Sequence, residues 1–166
     1  PKSLTVDMGV QMDFNATHLG DGVVSYVIAN ESVATVDDNG IITAIAEGIT
    51  TITVTISATD TYGVDIREVK LMVKDPADGD AIYVDGFDGV GGSGIKVDPY
   101  HSLINVLVEE YSGKEIRLLP GTYDFTRSIF PQYNTSYVIT AYGGDVIFTT
   151  STVHMFEPSY YTDLTF

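Results

Sequence analysis

Short apolar-centred runs separated by polar turns make up most of this chain, and a single stretch replaces them with apolar residues at steps of three and four. Apolar and polar residues alternate strictly over residues 51–56, which places Ile52, Val54 and Ile56 on one face of a strand and three threonines on the other. Residues 4–6, 23–28, 33–36, 41–44, 50–56 and 69–73 are rich in β-branched side chains and are separated by Gly, Asn and Asp. Asp38, Asn39 and Gly40 supply a hairpin turn, because Asn and Gly tolerate positive φ. The hydrophilic stretch 58–65 reads as an extended hairpin. Short strands at this spacing predict a small two-sheet sandwich.

The exception lies at residues 98–111. Tyr100, Leu103, Ile104, Leu107, Val108 and Tyr111 recur at helical spacing, behind Asp98 as a cap and Pro99 in a first turn. Gly113 gives a left-handed stop, and the pattern predicts one amphipathic helix over this stretch. A strand at 116–119 follows and ends at Pro120-Gly121. Further short strands are expected at 82–84, 123–125, 137–139, 146–148, 154–156 and 164–166, with corner turns at 142–145 and 157–159. The apolar centres at 116–118, 137–139 and 164–166 step by about 22 and then about 26 residues, as solenoid repeats do. On that reading Ile116, Val138 and Thr165 lie on adjacent parallel strands.

Residues 74–80, Lys-Asp-Pro-Ala-Asp-Gly-Asp, are short and polar and contain Pro and Gly, so they mark a boundary. The expected organisation is a first domain over 1–75, a linker over 76–81 and a second domain over 82–166.

Two resemblances sharpen this organisation. The run from Ser32 through Val36, Gly40 and Gly48 to Val54 (SVATVDDNGIITAIAEGITTITV) resembles the signature of the group 2 bacterial immunoglobulin-like domain. Leu4, Val6, Gly9 and Phe14 match the way that family opens. It occurs in adhesins of the intimin and invasin type, in surface-layer proteins and in phage tail proteins, as a spacer or recognition module without catalytic residues. The order of strand 81–85, glycine-rich loop 86–94, helix and an I-x-L-x-P-G-T-Y-like strand resembles the start of a right-handed parallel β-helix of the pectate-lyase-like class. That resemblance implies that the helix closes the open end of the solenoid. Together they imply an all-β fold with one short helix: an immunoglobulin-like β-sandwich followed by a capped, truncated right-handed parallel β-helix.

Composition narrows the partners. The chain has 166 residues, 23 Asp and Glu against 8 Lys and Arg, and a formal net charge of −15. Such a surface repels phosphate backbones and offers no basic cluster to an anionic membrane, so neither nucleic acid nor direct membrane insertion is expected. Hydrophobic residues make up 44% of the chain, enough for a packed core. The absence of cysteine excludes disulfides and thiolate metal sites. The chain begins in a strand at Pro1 and stops in an apolar run at Phe166, and reads as a segment of a longer protein.

Candidate chemistry is sparse. Asp85 and Asp88 sit three apart in the glycine loop and are calcium candidates, with Asp78 and Asp80 near them in sequence; calcium is the one cofactor the sequence suggests. No catalytic residue is assigned. Arg117 and Arg127 fall at the capped end with Asp124 near them, His18, His101 and His154 fit no metal spacing, and His101 is expected to be exposed early in the helix. Tyr133, Tyr137, Tyr142, Tyr160 and Tyr161 could stack on sugar rings or simply decorate an extracellular β surface. Asn15, Asn30 and Asn134 begin glycosylation acceptor patterns.

The expected function is a non-catalytic structural and adhesive segment of a large prokaryotic cell-surface protein, extracellular, meeting a surface glycan, a protein or copies of itself. Two alternatives stand beside it. One is the N-terminal portion of an extracellular polysaccharide lyase or hydrolase whose active site lies beyond residue 166. The other is a self-assembling filament, sheath or surface-layer subunit.

Overall fold

The computed structural model describes residues 3–18, 20–87, 89–125 and 135–150, together with the backbone of 163–165. They form two compact units, Pro1–Ala77 and Asp78–Phe166.

The first unit is an immunoglobulin-like sandwich of two sheets. One holds β1 (Ser3–Asp7), β7 (Asp65–Lys74), β6 (Gly48–Ile56) and β3 (Val24–Ile28), in that order. The other holds β2 (Gln11–Asp13), β5 (Ile41–Ala44) and β4 (Ala34–Val36). β1 runs parallel to β7, whereas β3 and β7 flank β6 antiparallel. The period-two pattern explains the packing: Ile52 and Val54 point into the core with Val69 and Leu71, while Thr51, Thr53 and Thr55 face outward. Ile28, Ala34 and Ile42 close the core from neighbouring strands.

The turn before β5 is built as expected. The Asp37 carboxylate accepts the backbone N–H groups of Asn39 at 2.9 Å and Ile41 at 2.8 Å, and Gly40 takes a φ of 82°. The Ile41 N–H is the main reason that the Asp37 carboxyl lies below its ordinary range. Two features are longer or newer than the pattern indicated. β2 was not expected, and β7 starts at Asp65, so Ile56 pairs with Asp65 and the connecting hairpin spans residues 57–64.

The second unit is built from parallel pairs. β8 (Ile82–Val84), β9 (Glu115–Leu118), β11 (Ser136–Ala141) and β13 (Asp163–Thr165) form one sheet, in the order β13-β11-β9-β8. β10 (Gly121–Phe125) and β12 (Val146–Thr150) form another. Ile82, Ile116 and Ile139 occupy equivalent positions on successive strands, and Tyr123 lies opposite Phe148 in the second sheet. Their side chains make one core with Val84, Leu118, Phe125 and Tyr137.

One expectation is corrected here. The helix is one turn, α1 (Leu103–Val106), followed by a 3-10 turn at Glu109–Tyr111. Asp98 and Tyr100 lie in extended backbone: the Tyr100 N–H donates to Tyr83 O at 2.9 Å, and Asp85 N–H donates to Tyr100 O at 2.9 Å. Pro99 disfavours helical backbone at Asp98, and the free edge of β8 offers Tyr100 a ladder instead. The apolar stripe still turns inward, since Leu103, Val106 and Leu107 are buried in the core. Ile116, Val138 and Thr165 do lie on adjacent parallel strands, in a register that sets Ile116 opposite Ile139 and Val138 opposite Glu115 with its side chain outward. Val138 does pair with Thr165. The strand expected at 154–156 and the turn at 157–159 fall outside the described residues.

Candidate functional site

The polar chemistry of the second unit gathers at two places. The first is the outward row across β8, β9 and β11, where Tyr83, Arg117 and Thr140 stand side by side. Glu115 precedes Arg117 by two residues and so shares its face. Arg117 donates to Glu115 Oε2 from Nε at 3.1 Å and Nη2 at 2.9 Å, and to the Tyr83 hydroxyl from Nη1 at 2.7 Å. The Tyr83 hydroxyl in turn donates to Asp78 Oδ1 at 2.7 Å, and Thr140 donates to Glu115 Oε1 at 2.8 Å. Tyr142 completes the cluster, with the guanidinium carbon 5.3 Å from its ring centroid and 5.6 Å from that of Tyr83.

This arrangement holds charge still. Hydrogen bonds from Arg117 and then Thr140 lower the Glu115 carboxyl, and Glu115 with Tyr83 raises the Arg117 guanidinium further. Burial and the Asp78 hydrogen bond push the Tyr83 phenol up. A cation stacked between two rings and held by two carboxylates is a structural staple across three strands.

The second place is the glycine loop. Both carboxylate oxygens of Asp85 lie 3.0 to 3.1 Å from His101 Nδ1, and Oδ1 accepts the Phe87 N–H at 3.1 Å. The Phe87 ring meets the imidazole at 5.2 Å, edge to face. A cavity of about 70 Å³ lies beside them, lined by Tyr123, Asp124 and Phe125 among others. His101 is therefore paired and partly buried, contrary to the exposed position expected of it. It leaves the helix because the chain is still extended there.

Asp88 lies outside the described residues, as do Asn134, His154, Arg127, Tyr133, Tyr160 and Tyr161. Among the described residues no three His, Cys, Asp or Glu side chains are grouped to hold a metal. Asp78 belongs to the Arg117 row and Asp80 is exposed. Asp124 accepts the Thr149 hydroxyl at 3.0 Å. Asn15 and Asn30 are exposed, and Asn30 Oδ1 accepts both the backbone N–H and the hydroxyl of Ser32. Tyr137 is buried, and Tyr142 stacks on Arg117. Sequence reading missed the Arg117 row, although Glu115 and Arg117 at a period of two, with Tyr83 on the preceding apolar strand, were its available signal.

Four phenols of this unit resist ionisation. The hydrogen bond that the Tyr111 hydroxyl shares with that of Tyr100, at 2.7 Å, and then burial push Tyr111 up to about 12, while burial raises Tyr83, Tyr123 and Tyr137. A raised phenol pKa means that the native state keeps a proton the unfolded chain gives up. Its stabilisation is intact below the ordinary tyrosine value of about 10 and declines as pH climbs through the native value. Tyrosinate absorbance and hydrogen exchange, followed together, should show the second unit opening between about pH 10 and about pH 12.

The first unit belongs to the immunoglobulin-like class of β-sandwich. Within it, residues 1–63 match the family model described as the bacterial Ig-like domain (group 2). Among solved structures the chain is similar to a bacterial Ig-like domain containing GH10 xylanase from termite gut. The identity is 17%, over 71% of this chain and 30% of that chain, with a TM-score of 0.32. No curated protein matches the chain. Among the described residues no helix is long and apolar enough to cross a membrane.

Proposed function

We propose that the chain is a non-catalytic structural and adhesive segment of a large extracellular prokaryotic surface protein. In this reading the Ig-like module leads into the capped first coils of a right-handed parallel β-helix. The observation that carries it is the parallel pairing of successive passes. Ile82, Ile116 and Ile139 form an apolar column, and the second sheet repeats the relation with Gly121 opposite Val146. Parallel strands in one sheet need a crossover, and such crossovers are overwhelmingly right-handed, which supports the handedness. Leu103, Val106 and Leu107 share the core of the first pass, as a cap over exposed apolar side chains would. The match of residues 1–63 to a bacterial Ig-like model and the net charge of −15 support an extracellular setting.

The physical role is reach and stiffness. Aligned parallel strands with ring stacking, such as Tyr123 on Phe148 at 5.8 Å, resist bending because every pass is pinned to the next. Antibodies raised against residues 1–166 should label intact, unpermeabilised cells of the source. The full-length protein should release no reducing ends from acidic or neutral polysaccharides. Cleavage of any of them by that protein would replace this reading with that of an enzyme's N-terminal portion.

A further inference from the structure

One pairing in the larger sheet of the first unit departs from the rest. β3 and β7 flank β6 antiparallel, but β1 runs parallel to β7, with Ser3 opposite Lys70 and Asp7 opposite Lys74. β1 is the first strand of this unit and β7 the last, so a force carried along the chain enters at Ser3 and leaves at Lys74. We infer that the first unit is a force-bearing module in which chain tension loads the β1–β7 pair in shear. The inference deepens the surface-segment reading, on which it rests for the source of the tension, and gives the sandwich a task beyond that of a passive spacer.

Three observations carry it. The first is direction. Parallel neighbours receive the load at opposite ends, Ser3 being pulled backwards along β1 and Lys74 forwards along β7. The strands must then slide past each other, and the bonds that join them are strained together. A parallel ladder spaces its bonds evenly, so the strain is shared among them. In an antiparallel pair entry and exit would lie at the same end, and the ladder would open one bond at a time. The second observation is what surrounds the pair. β7 is an inner strand, and its pairing with β6 runs from Gly48 opposite Val73 to Ile56 opposite Asp65. The exit strand is held from both sides, so yielding falls to β1, whose ladder is the shorter. Val6, Leu71 and Val73 are buried in the core beside the pair, which keeps off that face the water that would replace ladder bonds as they stretch.

The third observation is how β1 ends. The Met8 N–H donates to Lys74 O at 2.8 Å, so the residue at which the load leaves is fastened to the far end of the entry strand. Gly9, with a φ of 83°, then turns the chain into the other sheet. There the Gly9 N–H donates to Ala44 O at 2.9 Å, and Val10 O accepts the Ala44 N–H at 3.0 Å. β1 is thus tied to one sheet along its length and to the other at its end, and drawing it out requires both attachments to give way.

The test is single-molecule force spectroscopy on the whole chain at a fixed loading rate, since forced unfolding reports the barrier that the load meets. The chain has no cysteine, so one introduced cysteine is a unique attachment point. Held by its two ends, the chain is loaded in shear. The first unit should then give way in a single step of about 240 Å, the length residues 3–74 release when drawn out. Held instead at Val10→Cys and the C-terminal end, the same unit is loaded beside Lys74, and the β1–β7 pair opens from that end. Val10 is 44% exposed, and Gln11→Cys offers the same geometry from a second exposed position. The unfolding force end to end should be about twofold or more that measured from Val10 or Gln11, with the urea midpoints of all three proteins alike. Equal forces in the two geometries, or a first unit that yields more easily end to end, would overturn the inference, because only the direction of load differs. Surface labelling of intact cells decides the broader reading separately, and a labelled protein with equal forces would keep its setting and lose only this role.

Discussion

Replacing Gly92 by alanine is expected to unfold the second unit while leaving the first intact. A Cβ at this position would fall 1.9 Å from Pro99 O and 2.9 Å from Tyr100 N, and the residue holds a φ of 80°. The obstacle is backbone, so no side chain can swing away. The segment it strikes is also fixed from the far side, because Tyr100 pairs with Tyr83 and Asp85 along the edge of β8. Relief therefore means tearing the extended strip 98–100 from the sheet, in addition to the strain of about 1–2 kcal/mol for a side chain in left-handed backbone. The total should exceed about 4–5 kcal/mol, the range in which one substitution removes most of a domain's marginal stability. Gly113→Ala is the control: its φ is 81°, yet nothing lies within 4 Å of the added carbon, so only the left-handed strain should appear. Hydrogen exchange read by mass spectrometry checks both. Peptides from β8 and β9 should lose protection in Gly92→Ala, and those from β6 and β7 should keep it.

Leu103→Ala should cost about 2–5 kcal/mol, towards the upper end. A four-residue helix has almost no stability of its own, so α1 stays in place through what it buries. Its contribution is Leu103 and Val106, with Leu107 just beyond, set into the same core as Ile82 and Ile116. Removing Leu103 leaves a cavity and also loosens the turn that carries Val106 and leads into Leu107. Val138→Ala provides the contrast, since that side chain is 45% exposed and should change stability by no more than about 0.5 kcal/mol. Urea denaturation of both variants measures the difference. Equal losses would mean that the alternation along β11 has been read backwards.

The sandwich was the more legible half of this molecule. Strands such as β6 have one buried face, and a one-residue slip would carry Ile52 and Val54 into water, so pattern and structure agree closely there. The second unit shows where pattern reading fails. A repeat step names neighbouring strands but not their register, which the pleat decides: Tyr137 and Ile139 point inward, and Val138 between them cannot. The stripe from Tyr100 to Tyr111 has helical spacing, yet most of it is not α-helical. Apolar side chains can reach one core from a bridge, a single turn and a 3-10 turn in succession, and spacing alone does not distinguish these. Of the candidate site residues, Asp85 found a partner that sequence distance hid, since His101 comes to it through the fold.

The unequal bends of the second unit have a practical consequence. Between β9 and β10 the chain turns in two residues, Leu119 and Pro120, whereas between β11 and β12 it uses four, from Tyr142 to Asp145. Both bends are tied together, by Tyr142 N–H to Leu118 O at 2.8 Å and by Gly121 N–H to Asp145 O at 3.1 Å, and the strands on either side keep their alignment. Gly143 sits at the wider bend with open space around it. A foreign epitope grafted there would be displayed outward without disturbing its anchorage.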